Sequence, residues 1–254
     1  MGVENGSSPL PPQRKLKLLG LHGFRTSGDI LKRQLSKWSP SILDLMDLDT
    51  LDGPFPCLGK SDVEGYFEGP YYEWFRFNKD YTEFEGVEDA ISFISDYMKT
   101  HGPYDGLVGF SQGAVLSGLL AGLQEKAMAL QDVASIKFVI LTSPAQLREK
   151  DLKVVYEAPA IKCPAVILLG EKDWLRPMGE EVVESFHEPL VIRHRYGHTV
   201  PRLDSETTNT LVNFLKTRLG HDYQEEAALQ EEAALREEAA LGSEAYAEDV
   251  CVAV

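Results

Sequence analysis

Cysteine is scarce. Cys57, Cys163 and Cys251 stand far apart in 254 residues, too few and too odd in number for a disulfide framework, so the chain suits a reducing compartment such as the cytoplasm or nucleus. No Cys-x-x-Cys pair and no His-Glu-x-x-His run is present, so the reading includes no metal site and no cofactor. Basic residues are outnumbered 25 to 40 and the formal net charge is −15. With no basic stripe to offset this, the field repels phosphates, which argues against a nucleic-acid partner. No apolar run is long enough to span a membrane, and the polar opening Met1 to Pro12 lacks the apolar core of a signal peptide. Gly2 fails as a myristoylation site, because Gly6 stands where Ser or Thr is required. The last four residues, Cys251-Val252-Ala253-Val254, have the outline of a prenylation box. Valine is an unusual final residue there and the upstream segment is acidic, so the match reads as coincidence.

What is present is a chain with 43% hydrophobic residues, enough for one substantial core. Residues 1–14 read as a disordered leader, 15–219 as the folded domain and 220–254 as an acidic tail, helical or disordered. That tail holds ten acids against the single base Arg236, a formal −9 that leaves −6 for the rest. It repeats Glu-Glu-Ala-Ala-Leu in six-residue units from Glu225. Six residues turn a helix by about 600°, so Leu229, Leu235 and Leu241 do not share a face. The tail therefore reads as a solvated spacer with no protein partner identified.

Within the domain, buried-strand patterns run over 15–21, 42–48, 107–110, 136–142, 165–169 and 191–196. Helical spacing appears over 30–38, 85–99, 113–130, 179–186 and 205–219, and 53–78 reads as a long ordered loop. Strands alternating with helices predict an α/β architecture, a mainly parallel sheet with helices on both faces.

Gly109-Phe110-Ser111-Gln112-Gly113 matches Gly-x-Ser-x-Gly between an apolar strand and a helix of small residues. A sharp strand-to-helix turn exposes the serine hydroxyl, and the glycines let neighbouring backbone come close. Ser111 is the candidate nucleophile. A serine needs a base, which an acid must orient, and in this context the chain order is serine, acid, histidine. Asp173 lies just past the 165–169 strand, with Glu171 as its nearest rival. His198 follows the 191–196 strand in a Gly-containing loop, whereas His194 lies inside that strand. The backbone N–H groups of Gln112 and Phe24 are the candidate donors to an oxyanion. His22 precedes the nucleophile and reads as structural. The aromatic loop, above all Tyr71, Tyr72, Trp74 and Phe75, offers either packing beneath the loop or an apolar wall for an acyl chain.

Together, Leu21-His22-Gly23-Phe24, Gly109-Phe110-Ser111-Gln112-Gly113-Ala114, Gly170-x-x-Asp173 and Gly197-His198-x-x-Pro201, with Pro-Tyr-Tyr-Glu-Trp-Phe at 70–75, resemble the FSH family of serine hydrolases, which includes the ovarian-cancer-associated-gene hydrolases. The resemblance runs from about Lys15 to Leu219. It implies an α/β-hydrolase fold without a large cap, a triad on Ser111, Asp173 and His198, and activity on a small-molecule acyl ester or thioester. The chain departs from that pattern at Thr26-Ser27, where members often carry Gln-Asn. The expected function is hydrolysis of carboxylic esters, with medium to long acyl chains suggested by the aromatic loop. The alternatives are an acyl thioesterase and a low-turnover small-molecule receptor on the same scaffold.

Overall fold

The computed structural model describes residues 14–157 and 160–220. The leader ahead of Arg14, the tail repeat and Cys251 lie outside them. The chain divides into two compact units, with the boundary between Val212 and Asn213. The described part of the second unit, 213–220, is helical.

In the first unit, six strands form one sheet in the order β10-β9-β8-β7-β1-β2, with every neighbouring pair parallel. These strands are β1 (Leu16–Leu21), β2 (Met46–Leu51), β7 (Gly106–Phe110), β8 (Phe138–Thr142), β9 (Ala165–Gly170) and β10 (Leu190–His194). The inner strands β7, β8 and β9 are buried at every position, as strands covered on both faces must be. The chain leaves β1 toward β2, then returns to the other side of β1 with β7 and continues outward to β10. Helices α1 (Gly28–Leu35) and α4 (Gln112–Glu125) thus belong to crossovers running in opposite directions, and right-handed connections put them on opposite faces. The order reverses between β1 and β7, and the crevice past the carboxyl ends of those strands is where such sheets bind ligands.

α4 packs on β1, β7 and β8, and nearly all its positions are buried. Its composition of small and apolar residues all round suits a helix enclosed on every side. Helix α3 (Val87–His101) buries Val87, Ala90, Ile94 and Met98 along one face and ends at Gly102. Helix α5 (Arg176–Ser185) packs on β9.

The expected elements shift in places, most of all over 42–48 and 53–78. The 42–48 strand starts later, at Met46, because Ser39 caps a short helix α2 (Pro40–Leu43) with Pro40 in its first turn, which captures Ile42 and Leu43. The 53–78 stretch is not all loop. Strand β3 (Phe55–Pro56) pairs antiparallel with β4 (Tyr72–Glu73), and β5 (Arg76–Phe77) with β6 (Phe84–Glu85). Among the described residues no helix is long and apolar enough to cross a membrane, and no cluster of three His, Cys, Asp or Glu side chains could hold a metal ion.

Candidate active site

Ser111 sits in the turn between β7 and α4 with φ 53° and ψ −118°, a conformation that non-glycine residues rarely adopt. Tight packing on both sides holds it there. A Cβ on Gly109 would run into the carbonyl oxygen of Gly113, and one on Gly113 into that of Leu21. The Ser111 N–H donates to Thr142 O at 2.9 Å and its carbonyl accepts from Val115 N at 2.9 Å, which anchors the turn to β8 and α4.

Asp173 follows β9 and His198 follows β10, so both arrive at the same edge of the sheet as Ser111. His198 Nε2 lies 2.9 Å from Ser111 Oγ, and His198 Nδ1 lies 3.0 and 3.1 Å from the two Asp173 carboxylate oxygens. An ionised carboxylate can only accept, so Nδ1 carries the proton. That leaves Nε2 with its lone pair toward the serine hydroxyl. Burial pushes the Asp173 carboxyl up, but hydrogen bonds led by His198, with the Leu175 N–H among them, outweigh it and hold the group below the usual carboxylate range. Phe110 and Trp174 flank the imidazole at ring-centroid distances of 5.0 and 5.5 Å. Glu171 lies outside this relay. His194, buried at the end of β10, has no hydrogen-bond partner for either ring nitrogen among the described residues.

The loop after β1 faces the serine from the other side of the switch point. The Phe24 N–H takes part in none of the loop's backbone hydrogen bonds, and the Gln112 N–H opens α4, where no helical partner exists. Burial pulls the His22 imidazole down to about 4, so it is neutral. Its Nδ1 donates to Gly23 O at 2.7 Å and its Nε2 accepts from Gly53 N at 2.9 Å, the structural role expected of it. Thr26 Oγ1 donates to Gly23 O at 2.7 Å, and Ser27 Oγ caps α1 by accepting from Ile30 N at 3.3 Å. Both hydroxyls are thus used locally, one within the loop and one at the start of α1.

A cavity of about 730 Å³ opens above the serine. Its walls include an unbroken series of ring contacts: Phe84 to Phe75 (6.1 Å), Phe75 to Phe77 (6.3 Å), Phe77 to Tyr81 (4.9 Å), Tyr81 to Trp174 (6.4 Å) and Trp174 to His198. Of the four aromatic residues expected to wall the site, Phe75 does so and Tyr71, Tyr72 and Trp74 do not. Trp74 is fully enclosed, with its indole N–H on His22 O at 2.9 Å. Tyr72 is held in the β3–β4 pair, and the Tyr71 hydroxyl donates to Phe67 O.

Sequence reasoning missed two parts of this region. The side chain of Gln112 bridges to the aromatic loop, with Oε1 accepting from Trp74 N (3.0 Å) and Nε2 donating to Phe75 O (2.7 Å). A long polar residue inside a helix of small ones was the available signal. Glu73 is buried and receives Arg25 Nε at 2.8 Å and Arg76 Nε at 3.1 Å, tying the β1 loop to the aromatic one. Glu73 and Arg76 are near neighbours in the chain, but nothing local in the sequence brings Arg25 to them.

A parallel sheet with a strained serine at its switch point, and a histidine and an acid delivered by later strands, defines an α/β-hydrolase. Solved structures agree on the fold: the acyl-protein thioesterase 2 of Zea mays superposes with a TM-score of 0.57 over 83% of this chain and 97% of that one, at 17% identity. The chain belongs to the serine hydrolase (FSH1) family, whose model matches residues 12–210. It is 31% identical to esterase AAEL000016 of Aedes aegypti over 84% of this chain and 81% of that one. It is 26% identical to esterase OVCA2 of Danio rerio over 79% and 96%. The protein is an esterase-type enzyme.

Proposed function

We propose that the protein hydrolyses carboxylic esters of medium to long acyl chains through an acyl-enzyme on Ser111. The observation that carries this reading is the hydrogen-bonded relay from Ser111 Oγ through His198 to Asp173, at the base of a cavity walled by aromatic rings. His198 Nε2 takes the serine proton as Oγ attacks the ester carbonyl. Asp173 stabilises the imidazolium that results. The N–H groups of Phe24 and Gln112 receive the negative oxygen. His198 then protonates the departing alcohol, and water activated by the same nitrogen releases the acid. The ring series from Phe84 to Trp174 supplies apolar surface for the acyl chain. A thioester would use the same atoms.

The test is hydrolysis of p-nitrophenyl esters from acetate to palmitate by wild type and Ser111→Ala. Wild type should turn over, with kcat/KM rising from acetate into the medium chain lengths, and Ser111→Ala should lose at least about 10³-fold in kcat. Binding of acyl ligands without turnover by the wild type would instead support a receptor.

A further inference from the structure

The ring series is part of the apolar lining of the cavity, and the proposed mechanism leaves polar lining residues unused. Gln34, near the end of α1, lines the cavity and is 7% exposed. Its Oε1 is shut off from solvent without a partner, and among the described residues its side-chain amide makes no hydrogen bond. Lys37, three residues on, and Asp62 line the same cavity, and neither has an ion-pair partner among the described residues. Both stretches are tied to the loop that carries Phe24. Ser27 caps α1, Ser61 Oγ donates to Arg25 O at 2.6 Å, and Arg25 Nη1 donates to Lys60 O at 3.1 Å. None of the three polar residues belongs to the ring series.

Buried polar groups in native structures are almost always paired, so an idle amide on a residue that lines a cavity is a place where a ligand can complete the bonding once the side chain turns toward it. We propose that Gln34, Lys37 and Asp62 recognise the alcohol portion of the ester, and that this portion is a neutral polyol of the glycerol type. The inference rests on the hydrolase reading above. Hydroxyl groups donate and accept, and the three side chains match that: Asp62 accepts, Lys37 donates, and the Gln34 amide does either according to its flip. The charged residues lining the cavity, Lys37 and Arg148 against Asp62 and Asp80, sum to no net charge, and the chain as a whole carries −15, so an anionic alcohol portion gains nothing here. A site that hydrogen-bonds a substrate hydroxyl discriminates against the analogue lacking it, because its own polar groups are then left unpaired.

The experiment compares kcat/KM for 1-decanoylglycerol and ethyl decanoate, which share an acyl chain and differ in the alcohol. Wild type should favour the glycerol ester by about tenfold or more, and Gln34→Leu should lower that ratio about tenfold. Asp62→Asn should lower it about threefold, and this exposed change decides the matter if Gln34→Leu does not fold. Equal rates for the two esters in wild type, or variants that slow both esters in proportion, would overturn the inference and leave the hydrolase reading intact. If wild type cleaves neither ester while Ser111→Ala is equally inert, the hydrolase reading falls and this one with it.

Discussion

At the scale of single residues, two histidines in loops that follow strands are put to opposite uses. His198 keeps one nitrogen on a carboxylate and one on a hydroxyl. His22 is enclosed and spends both nitrogens on backbone. Burial lowers its pKa from 6.5 to about 4, against the opposing pull of the Gly23 carbonyl and Asp52. Between those values the unfolded chain binds a proton that the folded chain does not, so folding stability from this residue is complete above pH 6.5 and is lost as the pH falls toward 4. The loss over that window is about 3 kcal/mol. Urea unfolding at pH 7 and pH 4 should therefore show a larger acid-induced drop for wild type than for His22→Gln, since carboxylate contributions common to both chains cancel. Equal drops would mean that His22 is protonated in the folded state.

At the scale of elements, α4 illustrates how one helix can forbid and welcome the same change. A methyl group on Gly113 meets the Leu21 carbonyl, whereas one on Gly118 would lie 3.4 Å from Leu141 Cδ1, an ordinary contact. Gly113→Ala should cost about 4 kcal/mol, among the largest single-substitution effects. Gly118→Ala should be neutral or stabilise by up to about 1 kcal/mol through helix propensity. Thermal melts of the two variants check this, and similar midpoints would contradict the packing described. The same helix shows what is readable from sequence. Its start follows from Gly-x-Ser-x-Gly after an apolar run, but it stops at Glu125 rather than near residue 130, where Ala127 and Leu130 take positive φ. Strands β7, β8 and β9 were visible as short apolar runs because both their faces are covered. The paired two-residue strands were not, because too few residues repeat to make a pattern and, for β3 and β4, because a long stretch separates the partners. For the site, the order serine, acid, histidine and their places after strands could be read from local context. The cavity wall could not. Tyr81 and Phe84 lie past the 53–78 stretch and Trp174 comes from far along the chain, while Trp74, the bulkiest aromatic of the loop, turned inward to His22.

At the scale of the whole molecule, every residue lining the cavity falls between Gly23 and Thr199, while residues 220–254 hold a formal −9 of the −15 charge. A chain ending at Gly220 should keep kcat/KM for a neutral ester within about twofold. For an anionic ester at low salt it should gain, because long-range repulsion is weaker, and added salt should erase that gain. A large loss on the neutral ester would show that the segment beyond 220 contributes to the site.

The serine, the acid and the base also reach the site in a fixed chain order, and His198 lies 87 residues after Ser111. During synthesis Ser111 therefore leaves the ribosome well before His198, and β10, which sets His198 in place, is the last strand of the sheet to be made. Until then the hydroxyl has nothing to take its proton. On the proposed mechanism, the direction of translation thus leaves Ser111 without its base until the sheet is complete.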